Sequence, residues 1–214
     1  MKELIGTGVA LITPFKEDLT IDVEGLQSVV NYNIANGIDY LVILGTTAES
    51  ATLSKAEKQL VVNTIVDTNA GRLPLVLGIG GNNTLAVVDT IKQTDLNAFK
   101  ALLSVCPYFT RPSQEGIYQH FKHIALAASI PVILYNVPAR SGIAISNETT
   151  VRLATDFANI IGTKDASGNL ESVIALLDAV PDGFHVISGD DALALSVVLS
   201  GGSAFGLDAC SGVM

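Results

Sequence analysis

Eight short apolar runs, separated by amphipathic segments, constrain this chain more than any other feature. They read GVALI (8–12), YLVIL (40–44), PLVLGI (74–79), ALLSV (101–105), PVILY (131–135), NIIGTK (159–164), FHVIS (184–188) and SAFGL (203–207). Each has strand length and is bounded by glycine, proline or polar residues. Between them, IDVEGLQSVVNYNIANG and SKAEKQLVVNTIVDTNAG space their apolar residues helically and end in glycine, which suits a helix C-terminus. NNTLAVVDTIKQT, SQEGIYQHFKHIALAA, SNETTVRLATDF and NLESVIALLDAV behave likewise. SKAE at 54–57 predicts a capping box, and SNET at 146–149 a helix start.

Strands alternating with helices, at roughly 28 residues per unit, predict an α/β fold of the (β/α)8 TIM-barrel class. The rival is a doubly wound open sheet, which places a glycine-rich phosphate loop after its first strand. Here the first run leads into TPF, with no such loop. No linker, low-complexity stretch or composition shift marks a boundary, so residues 1–214 are expected to form one domain. The eighth run ends near Leu207 and the sequence stops at Met214, too soon for a closing helix. The expected barrel is therefore incomplete at its C-terminus. Its uncovered face is left to a neighbouring chain, or the sequence is a fragment.

Composition removes several classes of function. Apolar residues make up 49% of the chain and charged ones 15%, which excludes disorder. A net charge of −9 without a basic run argues against nucleic acid, whose phosphates need clustered lysine and arginine. No run approaches the roughly 20 apolar residues of a membrane span. MKELIGTGVALITPF lacks the long apolar core and cleavage site of a signal peptide. The expectation is a soluble cytoplasmic protein with no membrane partner. Cys106 and Cys210 lie in or beside apolar runs and read as small buried hydrophobes, not as a disulfide.

In a barrel the C-terminal ends of the strands carry the chemistry. Collected there are GTTAES (45–50), CPYFTRPS (106–113), YNVPARSG (135–142), Lys164, and SGDD (188–191). Lys164 is the centre of the argument. Most lysines are solvated surface residues. One set among apolar barrel layers is penalised in its charged form, and a neutral amine can attack a ketone to give a Schiff base. The protonated imine is an electron sink, so the adjacent carbon loses a proton and becomes an enamine nucleophile. This chemistry requires no metal and no organic cofactor. Tyr135 lies one unit earlier, and reads equally as a core tyrosine or as a proton shuttle beside the amine. The GTT turn can hold a carboxylate or be a plain turn. Arg140 can pair with a carboxylate or form an ordinary surface ion pair. Asp190 and Asp191 fit helix capping better than metal binding. His120, His123 and His185 have no zinc spacing, and the first two read as surface or packing residues on a helix.

Taken together, TGVALITPF, GTTAES, PYFTRPSQEGIYQHF, YNVPARSG, GTKDASGN and SGDDALAL, in this order from Gly6 to about Gly202, resemble the dihydrodipicolinate synthase family. That family stands in the lysine-Schiff-base class I aldolase group, with N-acetylneuraminate lyase. The resemblance implies a lyase that condenses pyruvate with L-aspartate 4-semialdehyde in lysine and diaminopimelate biosynthesis. It implies that Lys164 forms the imine, Tyr135 shuttles protons and Thr46 joins a hydroxyl relay. Thr47 would hold the pyruvate carboxylate, Arg140 would orient the semialdehyde, and Gly189 would join the substrate pocket. The enamine would attack the aldehyde, and cyclisation with loss of water would follow. The resemblance also implies a homo-oligomer, a dimer or tetramer. An arginine after YNVPA matches the synthases; the sialic acid lyases usually carry an aliphatic residue there.

The sequence departs from the family pattern in four places. Phe109 replaces the second tyrosine of PYY, which completes the relay across a dimer interface, and a phenyl ring cannot pass a proton. GTTAES replaces GTTGES. AFGL at 204–207 replaces GVIS, altering one pocket wall. The chain lacks the last barrel helix and the family's C-terminal helices. Two alternatives follow: a 2-keto sugar-acid aldolase of the N-acetylneuraminate lyase type, and an inactive truncated barrel serving only as a partner subunit. The family's lysine-feedback pattern matches at Ser50, Asn82 and Tyr108, but its glutamate is replaced by Ala86. Weak or absent inhibition by lysine is therefore expected, and a lysine titration of the initial rate checks it. Strong inhibition at sub-millimolar lysine would end that expectation.

Overall fold

The computed structural model describes residues 4–204. Strands and helices alternate from β1 to β8 in chain order, the element sequence of the (β/α)8 barrel class. The described residues divide into two compact units, one up to Gly78 and one from Ile79 onward. No helix among the described residues is long and apolar enough to cross a membrane.

In the first unit β1 (Gly8–Ala10), β2 (Tyr40–Ile43) and β3 (Leu75–Gly78) run parallel, with Gly8 opposite Tyr40 and Leu41 opposite Leu75. Gly8 is required by close approach, because a Cβ there would lie 2.2 Å from the Tyr40 ring. Helix α1 (Val23–Ala35) is capped by Asp22, whose side chain accepts from the Gly25 N–H. Helix α2 (Lys55–Asn69) opens on the expected capping box: Ser54 accepts from the Glu57 N–H, and Glu57 accepts from the Ser54 N–H. Both expected terminal glycines, Gly37 and Gly71, have positive φ. In α2, however, the cap itself is Ala70, already left-handed at φ 46°, one residue earlier than the glycine.

The second unit contains α3 (Thr84–Gln93), β4 (Ala101–Val105), α4 (Gln114–Ala127), β5 (Val132–Asn136), α5 (Pro138–Ser141), α6 (Asn147–Asp156), β6 (Ile160–Asp165), α7 (Leu170–Ala179), β7 (His185–Ser188), α8 (Ala194–Leu199) and β8 (Ser203–Ala204). Strands β4 to β8 pair in parallel, each with the next. Every residue of β5 is buried, as a strand covered on both faces must be. Asn83, Ser113, Ser146 and Asn169 cap α3, α4, α6 and α7 with side-chain oxygens. Val173, Leu176, Val186 and Val197 form a cluster joining α7, β7 and α8. Two helices have no counterpart in the sequence patterns. Helix α5 is one turn, opened by proline and closed by Gly142 at φ 74°. Helix α8 is six residues, too short to show a period. The eighth-strand expectation is described only at Ser203–Ala204; positions 205–207 and Cys210 lie outside the described residues.

His120 belongs to the packing, as expected, and His123 to the surface. The Nδ1 of His120 bonds the Thr84 hydroxyl at 2.8 Å, while Nε2 is buried without a hydrogen-bond partner among the described residues. Burial pushes its pKa down from 6.5 to about 4, with nearby His123 adding to the shift. The unfolded chain thus takes up this proton first. Stability from neutral His120 is complete above pH 6.5, is lost as pH falls towards 4, and changes no further below. His120→Gln is expected to flatten that dependence. Urea unfolding at pH 7 and pH 4.5 checks it, with about 2 kcal/mol at stake between these two pH values in the unmutated chain.

Candidate active site

The site is built by the register of β5 and β6. Val132 pairs with Ile160, but Ile133 pairs with Gly162, so the register shifts and Ile161 is the extra residue of a bulge. Beyond the bulge Leu134 faces Thr163, Tyr135 faces Lys164 and Asn136 faces Asp165. Residues opposite one another in a sheet project to the same face, and a one-residue slip would reverse that. The bulge therefore places Lys164 on the same face as Tyr135. The lysine Nζ lies over the phenol ring, 4.7 Å from its centroid.

Both side chains are withdrawn from water: Tyr135 is 7% exposed and Lys164 8%. Among the described residues Lys164 is the only buried lysine, and no aspartate, glutamate or arginine is buried. Its aliphatic stem runs past Gly189, just beyond β7. A Cβ built on Gly189 would lie 2.6 Å from Lys164 Cε and 3.0 Å from Cγ. The Gly189 N–H donates to the Asp165 carbonyl at 2.7 Å, which holds the bare backbone against the stem.

Two side chains with no role assigned from sequence stand next to this pair. Asn136 Nδ2 donates to Asp165 Oδ2 at 2.6 Å, and Asn136 Oδ1 accepts from the Ile145 N–H at 3.0 Å. Asp165 Oδ1 accepts from the Ser167 N–H at 2.9 Å and from its hydroxyl at 2.5 Å. The signal that could have found them is their position, each one residue after Tyr135 or Lys164.

The remaining expected residues are distributed as follows. Arg140 is exposed on α5, whose Ser141 carbonyl accepts from the Phe109 N–H at 3.3 Å. Phe109 itself is 87% exposed on a left-handed backbone, φ 72°. Thr46 and Thr47 belong to the other unit, in a 3-10 turn Thr46–Ala48 just after β2, with Thr46 exposed and Thr47 half-buried. The Thr13 hydroxyl, from the chain beyond β1, donates to the Ala48 carbonyl at 2.8 Å and braces this turn. Asp190 caps the turn after β7 by accepting from the Ala192 N–H, as expected. Cys106 is a free, buried thiol pushed up to about 12 by desolvation, so it is not a thiolate nucleophile near neutrality. Among the described residues no cluster of three histidine, cysteine, aspartate or glutamate side chains could hold a metal ion. Chemically, the arrangement presents one buried amine against one phenol, with a backbone gap shaped for the amine's stem.

Comparison with known proteins gives a consistent result. Residues 3–206 match the model of the dihydrodipicolinate synthetase family. The sequence is 58% identical over 203 residues to the 4-hydroxy-tetrahydrodipicolinate synthase of Flavobacterium psychrophilum, covering 95% of this chain and 69% of that protein. It is 49% identical over 198 residues to the synthase of the same name from Parabacteroides distasonis, covering 92% and 67%. Among solved structures, the chain superposes with TM-score 0.90 on dihydrodipicolinate synthase from Bacillus anthracis, at 39% identity over 96% of this chain and 70% of that one. The chloride-inhibited enzyme from Acinetobacter baumannii, complexed with pyruvate, superposes with TM-score 0.90 at 40% identity, covering 94% and 69%.

Proposed function

The chain belongs to the dihydrodipicolinate synthetase family, and on that premise we propose that it condenses pyruvate with L-aspartate 4-semialdehyde through a Schiff base on Lys164. The product is 4-hydroxy-tetrahydrodipicolinate. The single observation that supports this most is the juxtaposition of Lys164 and Tyr135, buried, opposite one another and 4.7 Å apart from nitrogen to ring centroid.

The chemistry follows from the two groups. The amine adds to the ketone carbon of pyruvate, and water leaves to give a protonated imine. The first step needs the amine in its uncharged form. The positive imine draws electrons from the methyl carbon, which loses a proton to become an enamine. The phenol of Tyr135 is the group placed to carry protons to and from the adduct, with Thr46 in the relay. The enamine carbon attacks the aldehyde. The amino group of the semialdehyde then closes the ring on the imine carbon and releases Lys164. Thr47 holds the pyruvate carboxylate, Arg140 supplies a planar cation for the carboxylate of the second substrate, and Gly189 leaves room at the reacting centre.

On the same reading the chain is one barrel domain, cytoplasmic, and assembling as a dimer or tetramer. One solved relative, 31% identical and superposing with TM-score 0.92, is described as a monomeric dihydrodipicolinate synthase variant. The relatives favour the synthase over a sugar-acid aldolase. Incubation with pyruvate and borohydride, followed by intact-mass spectrometry, tests the imine. Turnover with aspartate semialdehyde against an N-acylated sugar aldehyde tests the second substrate. Condensation of the sugar aldehyde alone would overturn the proposed specificity.

A further inference from the structure

We propose that Asn136 and Asp165 are positioning residues that hold Lys164 against Tyr135 and tie the Arg140 and Gly189 segments to the same point. The inference rests on the Schiff-base reading and extends it to two side chains that carry no step of the reaction proposed above.

The case is one of hydrogen-bond bookkeeping at a single register position. Asn136 and Asp165 face each other immediately beyond the Tyr135–Lys164 pair. Parallel strands joined by backbone bonds alone can slip, and β6 already carries an extra residue upstream. The 2.6 Å bond from Asn136 Nδ2 to Asp165 Oδ2 pins the register after that irregularity. The other amide atom, Oδ1, accepts from the Ile145 N–H and so closes the loop that carries Arg140. The other carboxylate oxygen accepts two bonds from Ser167, fixing the turn that follows Lys164. Backbone bonds complete the set: Ala166 N–H to the Asn136 carbonyl at 2.8 Å, and Gly189 N–H to the Asp165 carbonyl at 2.7 Å.

Asn136 is only 5% exposed, so its amide has few alternatives to these partners. An acceptor is needed towards Ile145 and a donor towards Asp165, which only an asparagine-type amide supplies. Asn136→Asp would set two carboxylates against each other. Asp165→Asn would set a donor against a donor, either at Asn136 or at the Ser167 N–H. The reciprocal double variant restores every bond: the carboxylate at 136 accepts from Ile145 and from the amide at 165, whose oxygen accepts from Ser167. Formal charge is conserved in the swap, but its place is exchanged.

The test is reductive trapping of pyruvate by borohydride, followed by mass, for the unmutated chain, N136D, D165N and N136D/D165N, all at a temperature below unfolding. Each single variant is expected to slow maximal trapping on the order of ten- to a hundredfold. The half-saturating pyruvate concentration should change little, because the groups that hold the carboxylate are elsewhere. The swap is expected to recover most of the rate. Single variants that trap at the unmutated rate overturn the inference. So does a swap that fails to recover, which would assign the role to the charge of Asp165. If the single variants do not fold, the swap alone decides, and a swap that also fails to fold refutes the claimed complementarity. An unmutated chain that takes up no label removes the Schiff-base reading and the inference with it. Labelling of the unmutated chain without sensitivity to these residues removes the inference alone.

Discussion

Lys164→Ala is expected to leave a folded chain that takes up no pyruvate under borohydride, whereas the unmutated chain gains one reduced pyruvyl group. Loss of the adduct should be complete, because no substitute amine is at hand: Lys164 is the only buried lysine among the described residues. The fold should tolerate the change. Alanine removes the packing of the stem but brings in no larger group that the strand end must accommodate. Lys164→Arg is the sharper variant. It retains charge and length, yet a guanidinium stays protonated and cannot form the imine. Peptide mapping of the labelled chain must place the added mass on Lys164. A label that persists in Lys164→Ala, or maps to another lysine, sinks the assignment.

The second large effect is expected from Gly189→Ala. The added methyl would stand 2.6 Å from Lys164 Cε, 3.0 Å from Cγ and 3.1 Å from the Ala166 Cβ. Something must move, and a flexible lysine stem moves at less cost than the strand end. The predicted consequence therefore falls on rate more than on stability. A displaced Nζ loses its place over Tyr135, and errors of this size cost on the order of a hundredfold. The backbone at 189 is not in the left-handed region, so alanine brings no conformational strain of its own. A double-mutant cycle isolates the contact. Any destabilisation by Gly189→Ala should be larger with Lys164 present than in the Lys164→Ala background. Trapping by Gly189→Ala at the unmutated rate would show that the stem does not run where it is described.

Much of this was legible from local sequence. A lysine and a tyrosine at the ends of consecutive apolar runs could be assigned to neighbouring strands by alternation alone, and β5 and β6 bear that out. Caps were legible for the same reason, since Ser54 with Glu57, and Ser146, act within one turn. The short helices α5 and α8 were not, because one or two turns are too few for a 3.6-residue period to stand out. Asn136 and Asp165 each read as ordinary loop polarity until the other is seen opposite it.

Local pattern by itself therefore determined the strand–helix alternation and favoured the barrel over the open sheet, and it set Lys164 and Tyr135 at the ends of consecutive strands. Three things awaited the folded chain: the extra residue at Ile161 that turns Lys164 to the Tyr135 face, the gap at Gly189 that admits its stem, and the Asn136–Asp165 pin. The reason is common to all three. Each depends on which residue of one strand stands opposite which residue of another, and side chains alternate with a period of two along a strand. A single inserted residue, invisible to propensity, reverses every partnership downstream.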